Sequence, residues 1–84
     1  LNPVAPAHVL VIPKKHIEAL ANSTTEDADA LAHCLLLAVE AAAIKGVHET
    51  GFRVTTNSGP DSGQEVKHLH FHVLGGERLR RGVN

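Results

Sequence analysis

Three histidines, His68, His70 and His72, alternate with apolar residues in the order His-Leu-His-Phe-His. Successive side chains of a β-strand point to opposite faces of a sheet, so this alternation predicts a strand, Val66 to Leu74, with one apolar face and one imidazole face. The side chains expected in the core are Leu69, Phe71 and Val73. Same-face neighbours along a strand lie about 7 Å apart, so the three imidazoles could address one bound group.

Two further strands and one long helix are predicted around this strand. His8 to Ile12 is an apolar, β-branched run that stops at Pro13, and Phe52 to Asn57 alternates as a strand does. Thr25 to Lys45 is predicted to be helical, and the following glycine suits its end. We expect a single α+β domain over residues 1–84, in which an antiparallel β-meander packs against the helix.

The start and the surface of the helix give two further expectations. Either Ser23 with Glu26, or Thr24 with Asp27, supplies the pattern of an N-terminal capping box. The helix is apolar around most of its circumference, which leaves two interpretations: the sheet and loops cover it, or a second copy of the chain does. A domain of 84 residues has little else to cover it, so we expect a homodimer.

Composition excludes several classes of partner and location. The chain has 8 basic and 9 acidic side chains and a net charge of −1, so it has no electrostatic footprint for bulk nucleic acid or an anionic membrane. Cys34 is the single cysteine, and neither a signal peptide nor a membrane span is visible, which favours the reducing cytoplasm. The sequence contains no Met, so we expect residues upstream of Leu1 to be missing.

The three alternating histidines allow three interpretations. They could form the polar outer face of a strand, although Thr, Lys, Glu and Arg are commoner there. They could bind zinc, since imidazole is a frequent ligand. They could also act on phosphate, and the preceding loop, Ser58 to Glu65, favours this because its glycines let backbone N–H groups turn toward an anion.

These segments resemble the signature of a known family. Asn57, Gly63 to Val66 and His68 to Gly76 resemble the histidine triad (HIT) nucleotide-binding superfamily. Ala5 to Ile17 is similar to its HINT-like branch, the purine nucleoside phosphoramidases. The resemblance implies hydrolysis of purine nucleoside phosphoramidates, or related conjugates of a monophosphate such as AMP, without a metal or other cofactor.

The resemblance also implies a role for each site residue. His70 would attack the α-phosphorus and form a nucleotidyl-histidine intermediate, which water then hydrolyses. His72 would contact the phosphate on the leaving-group side, His68 would support the site by hydrogen bonding, and His8 matches a fourth family histidine. The residues expected to hold the phosphate oxygens are Asn57, Gly63, Gln64, Glu65 and Val66.

Three departures from the family pattern keep other functions open. The family's ribose pocket lies before the segment that resembles Leu1 to Pro3, Lys67 replaces an aromatic residue, and residues 77–84 lack an aromatic tail. One alternative is therefore a non-catalytic nucleotide-binding or interaction module. Another is a dinucleoside polyphosphate hydrolase of the same superfamily, against which the Gly-Gln-Glu-Val and Pro-Lys-Lys-His segments argue.

Overall fold

The computed structural model describes residues 6–79 of the chain. The elements in these residues are strand β1 (Ala7–Val11), helix α1 (Ala28–Ile44), strand β2 (Phe52–Thr55) and strand β3 (Phe71–Gly75), with 3-10 turns at Leu20–Asn22, Thr25–Asp27 and Pro60–Ser62. An antiparallel sheet beside one long helix confirms the predicted α+β class. No helix within residues 6–79 has both the length and the apolarity to cross a membrane.

The order of the strands differs from that of a meander. The order is β1-β3-β2, so β3 pairs with both neighbours and β1 does not touch β2 in the sheet. The connection from β1 to β2 runs through α1 and is too long to impose a hairpin between them. Strand β3 carries the buried side chains of Phe71, Val73 and Leu74, whereas every residue of β2 is only half-buried. The most buried strand is therefore the central one, with a ladder of hydrogen bonds on each side.

The strands are also shorter than predicted where they approach the histidines. The prediction that β3 begins at Val66 is wrong, because the ladder starts at Phe71, opposite Val11. Strand β1 ends there and is followed by Pro13, which has no N–H to donate to a ladder. Strand β2 ends at Thr55, opposite His72, so residues 66–70 have no neighbouring strand on either side.

One side of α1 packs on the sheet through small residues. Cys34, Ala38 and Ala42, spaced four residues apart, are buried there and let the helix approach closely. They share a core with Leu69, Phe71 and Val73, which confirms the predicted apolar face of the histidine segment. The rest of the α1 circumference leaves large apolar residues exposed: Leu35, Leu36, Leu37, Val39 and Ile44.

The helical region begins with the second of the two possible capping boxes. The Thr24 N–H donates to Asp27 Oδ2 at 2.8 Å, and the Thr24 hydroxyl accepts from the N–H of Glu26 at 3.2 Å. The Ser23 hydroxyl instead donates to the carbonyl of Leu20. Asp27 is 4% exposed, and Lys15 contacts it at 2.5 Å, which ties the segment after β1 to the helix start. These bonds to Asp27 lower the pKa of its carboxyl group.

Candidate functional site

The three histidines lie at the entrance to β3 and on one side of it. His72 is within the strand, opposite Leu10, while His70 and His68 are in the segment that leads to it. All three side chains are half-buried, whereas the alternate residues are core residues. The rings of His70 and His72 are 5.2 Å apart between centroids. The fold therefore brings these two imidazoles together, as the alternation predicts.

One hydrogen bond fixes the tautomer of His70. Its Nδ1 lies 2.7 Å from the backbone carbonyl oxygen of His68. A carbonyl oxygen can only accept a hydrogen bond, so Nδ1 must carry the hydrogen. In a neutral imidazole this leaves the lone pair on Nε2. His70 is therefore held in the form that can attack an electrophile through Nε2.

The backbone around His70 is also held from the side of β2. The Thr56 hydroxyl donates to the His70 carbonyl at 2.7 Å, just beyond the end of the β2 ladder. Asn57 follows, and within residues 6–79 its half-buried side chain makes no hydrogen bond. Its amide is thus free to bind a ligand. Sequence analysis did not identify Thr56, because a threonine in a strand ordinarily signals only strand propensity.

His8 and His72 form a second imidazole pair. His8 lies on β1 two residues before Leu10, and Leu10 is opposite His72. The side chains of His8 and His72 therefore lie on one face of the sheet. His8 Nε2 and His72 Nδ1 are 2.9 Å apart, and one of the two nitrogens carries the hydrogen between them. Burial lowers the pKa of His72, and repulsion from His70 and His8 adds to this. The neutral form of His72 is therefore favoured.

His68 faces a different set of neighbours from the other two histidines. Within residues 6–79 its ring contact is with His16, edge to face, with centroids 4.8 Å apart. Its Nε2 lies 3.4 Å from the carbonyl oxygen of Pro13. Sequence analysis did not identify His16 as part of the site. The only available signal was its position after Pro-Lys-Lys in the family-like segment, since no periodicity connects it with His68.

The loop before the triad is folded around the side chain of Gln64. Its Oε1 accepts from the N–H of Gly59 at 2.8 Å, while its Nε2 donates to the carbonyls of Glu18 (2.7 Å) and Val66 (3.0 Å). Both amide hydrogens are therefore used to shape the loop. A direct contact between Gln64 and phosphate, as predicted from the family resemblance, would require one of these bonds to break.

The backbone N–H groups of the loop differ in their availability. The N–H of Gly63 donates to Pro60 at 3.0 Å, and that of Gln64 points back into the same turn at 3.4 Å. Within residues 6–79 the N–H groups of Glu65 and Val66 make no hydrogen bond. Of the predicted amide donors, these two are the ones that could donate to a phosphate oxygen without rearrangement.

The zinc interpretation of the histidines gains no geometric support. Across residues 6–79, no three His, Cys, Asp or Glu side chains are arranged so that they could hold one metal ion. The pair of His8 and His72 is joined directly by a hydrogen bond, and His68 contacts His16 instead. The imidazoles therefore form one chain of contacts, His8 to His72 to His70, and a separate pair, His16 with His68.

Comparison with known proteins relates the chain to one family. The HIT domain family matches residues 1–79. An uncharacterized HIT-like protein of Synechocystis sp. is 50% identical over 76 residues, which are 90% of this chain and 66% of that protein. The chain thus spans about two thirds of the length of this curated relative.

Two solved structures share the fold over nearly the whole chain. A histidine triad protein from Clostridium difficile is 48% identical, with a TM-score of 0.91 over 98% of this chain and 71% of that one. A HIT family hydrolase from Clostridium thermocellum is 39% identical, with a TM-score of 0.93 over 100% of this chain and 73% of that one. The sequence match, the shared fold and the arrangement of the histidines agree, and the chain belongs to the histidine triad (HIT) family.

Proposed function

We propose that this protein is a hydrolase that cleaves the P–N bond of purine nucleoside phosphoramidates, or a related bond in nucleoside monophosphate conjugates. The observation that carries the proposal is the 2.7 Å hydrogen bond from His70 Nδ1 to the His68 carbonyl, which leaves the Nε2 lone pair available. The adenosine and guanosine conjugates are the substrates we expect, on the family resemblance. A HIT family hydrolase among the similar structures supports the reaction class.

The first step transfers the nucleotidyl group to His70. The Nε2 lone pair forms a bond to the α-phosphorus, and the bond from phosphorus to the amine nitrogen breaks. The amine leaves with the electron pair of that bond and takes up a proton from solvent, which the attacking water of the second step gives back. The product is a nucleotidyl-histidine, in which the phosphorylated imidazole remains a good leaving group.

The second step returns the enzyme to its starting state. A water oxygen attacks phosphorus, the bond from phosphorus to Nε2 breaks, and its electron pair returns to His70. The water loses a proton, and the nucleoside monophosphate is released. One difficult hydrolysis is thus divided into two easier displacements.

The surrounding groups have separate roles in this proposal. His8 donates its hydrogen to His72 Nδ1, so that His72 keeps a hydrogen on Nε2 for the leaving-group side. Asn57 and the N–H groups of Glu65 and Val66 bind the non-bridging oxygens and stabilise the charge that develops on them. His68 contributes chiefly through its backbone carbonyl, which orients His70.

Removal of the nucleophile tests the proposal. We expect His70→Ala to lower the release of AMP from an adenosine phosphoramidate by at least about a thousandfold, as loss of a nucleophile does in other covalent hydrolases. His48→Ala is the matched control, since His48 is exposed and its ring contact is with Phe52. Full activity in His70→Ala would exclude the mechanism.

Both amide hydrogens of Gln64 are bonded within the chain, which removes one predicted donor for the transition-state charge and favours a second candidate, a nucleotide-binding module without catalysis. Isothermal titration with AMP, combined with a turnover assay, separates the two. Binding without turnover in the unmutated protein would favour the module. Faster cleavage of a dinucleoside polyphosphate than of a phosphoramidate would instead favour that branch of the superfamily.

We also propose that the functional unit is a homodimer. The outward side of α1 exposes 68% of Leu36 and 78% of Ile44, two large apolar side chains that a partner would shield from water. A second copy of the chain supplies the same apolar surface about a twofold axis. A cytoplasmic location stays a prediction.

A further inference from the structure

Two segments that are far apart in the sequence meet just before β3. The N–H of Leu69 donates to the carbonyl of Ile17 at 2.6 Å, which joins the segment after β1 to the triad. Beside this bond, the rings of His16 and His68 pack edge to face, with centroids 4.8 Å apart and an angle of 80° between the rings. His16 thus borders the triad although it is more than fifty residues away in the chain.

The position of His68 matters because its carbonyl holds His70. Residues 66–70 lack a neighbouring strand, so no ladder fixes this carbonyl. Its peptide unit is held instead by the N–H of Leu69, which belongs to the same peptide group and donates to Ile17. The bond from His68 Nε2 to Pro13 is 3.4 Å long, beyond the usual range for N–H···O bonds, and constrains the ring only weakly. The edge-to-face contact with His16 has the geometry that aromatic pairs favour. It is therefore the stronger restraint on the His68 side chain.

We propose that His16 is a positioning residue for the triad: its ring braces the His68 side chain beside the Leu69–Ile17 bond, and the two contacts together keep the His68 carbonyl in place to fix the tautomer of His70. The inference rests on the proposed role of His70 as the nucleophile. Within residues 6–79 the ring contact of His16 is with His68 alone, so it acts through that residue. What matters under this proposal is the aromatic ring and not its nitrogen atoms.

Four variants separate the ring from the nitrogens. His16→Ala and His16→Gln remove the ring, His16→Phe keeps it, and His48→Ala is the control. We expect the first two to lower kcat for AMP release about threefold to tenfold, as loss of an aromatic pair implies, with KM within about twofold because nucleotide binding is not involved. His16→Phe should keep most of the activity. Each kcat is expressed per folded protein, taken from the unfolding curve.

The tautomer of His70 gives a readout that needs no turnover. Long-range proton–nitrogen correlation spectra of the imidazoles should show His70 protonated at Nδ1 in the unmutated protein and in His16→Phe. In His16→Ala and His16→Gln a mixture of both tautomers is expected. If the unmutated protein released no AMP, the proposed function would fail, and these spectra would still decide the role of His16.

Two outcomes would overturn the proposal. One is an unchanged His70 tautomer in His16→Gln, which keeps polarity without a ring and remains available should His16→Ala not fold. The other is a loss in His16→Phe equal to that in His16→Ala, which would assign the effect to a nitrogen atom.

Discussion

At the scale of the residue, the site depends on how each imidazole keeps or shares its hydrogen. His70 is fixed by a backbone carbonyl, whereas His72 shares one hydrogen with His8. The bond to the carbonyl leaves the Nε2 lone pair of His70 exposed. The shared hydrogen keeps His72 neutral beside the nucleophile. Protonation of His72 would place a cation among buried neighbours, which is why its pKa is lowered.

The lowered pKa of His72 predicts a change of stability with pH. The unfolded chain binds this proton more tightly than the folded chain does. The stabilising contribution of neutral His72 is therefore complete above the ordinary histidine pKa of about 6.5, and it is lost as pH falls through the lower pKa of the folded chain. The free energy of unfolding in urea should therefore fall from about pH 7.5 to about pH 5, and fall less in His72→Asn.

Between about pH 7.5 and pH 5, two comparisons separate the effect of His72 from that of other titrating groups. The pKa of Asp27 is also lowered, so this carboxyl group stays ionised over that pH range. Its effect on the free energy of unfolding appears only at lower pH, where carboxyl groups take up protons. His48→Ala should keep the full pH dependence of the unmutated protein. If the free energy of unfolding of His72→Asn fell with pH as much as that of the unmutated protein, the pH dependence would belong to other groups.

At the scale of the element, the start of the helical region uses one of two possible caps. Thr24 and Asp27 form the reciprocal bonds, and Ser23 belongs to the preceding turn. The sequence pattern allowed both, because both have the required spacing. In the fold, Lys15 contacts Asp27 from outside the helix, which adds an ion pair to the Thr24–Asp27 arrangement.

This choice of cap predicts different effects for neighbouring substitutions. Thr24→Ala should lower the free energy of unfolding by about 1 kcal/mol, since a backbone N–H at the helix start loses its acceptor. Thr24→Ser keeps the hydroxyl and should retain most of the stability. Ser23→Ala should cost less than Thr24→Ala. Chemical unfolding measures all three, and a larger loss in Ser23→Ala would contradict the capping assignment.

At the scale of the whole molecule, the two sides of α1 have different roles. The small residues Cys34, Ala38 and Ala42 bring the helix close to the sheet, while Leu36 and Ile44 face outward. Leu36 and Ile44 are large apolar side chains whose exposed area a partner would cover. The outward side of α1 is therefore the surface proposed for the homodimer.

A charge on that side should disrupt the dimer. We expect light scattering to give a dimer for the unmutated protein and a monomer for Leu36→Glu, because a buried unpaired carboxylate is costly at an interface. Thr50→Glu, which adds the same charge at an exposed position outside α1, is the control and should remain dimeric. A monomer at all concentrations in the unmutated protein would exclude this arrangement.

The sequence by itself determined which side chains of the triad segment face the core. Leu69, Phe71 and Val73 alternate with the histidines, and alternation is a local property of an extended chain that holds even before the ladder begins. It also determined the class of the fold, the long helix and the family resemblance. These depend on spacing between near neighbours, which the sequence states directly.

The tertiary structure decided what lies beside each histidine. The central place of β3, the hydrogen bond between His8 and His72, and the packing of His16 on His68 all join segments distant in the chain. Sequence periodicity reports only which side of an element a residue occupies, and it carries no information on which other segment meets that side. The neighbours of His8, His72, His16 and His68 were therefore settled by packing, whereas the carbonyl that sets the tautomer of His70 is only two residues away in the chain.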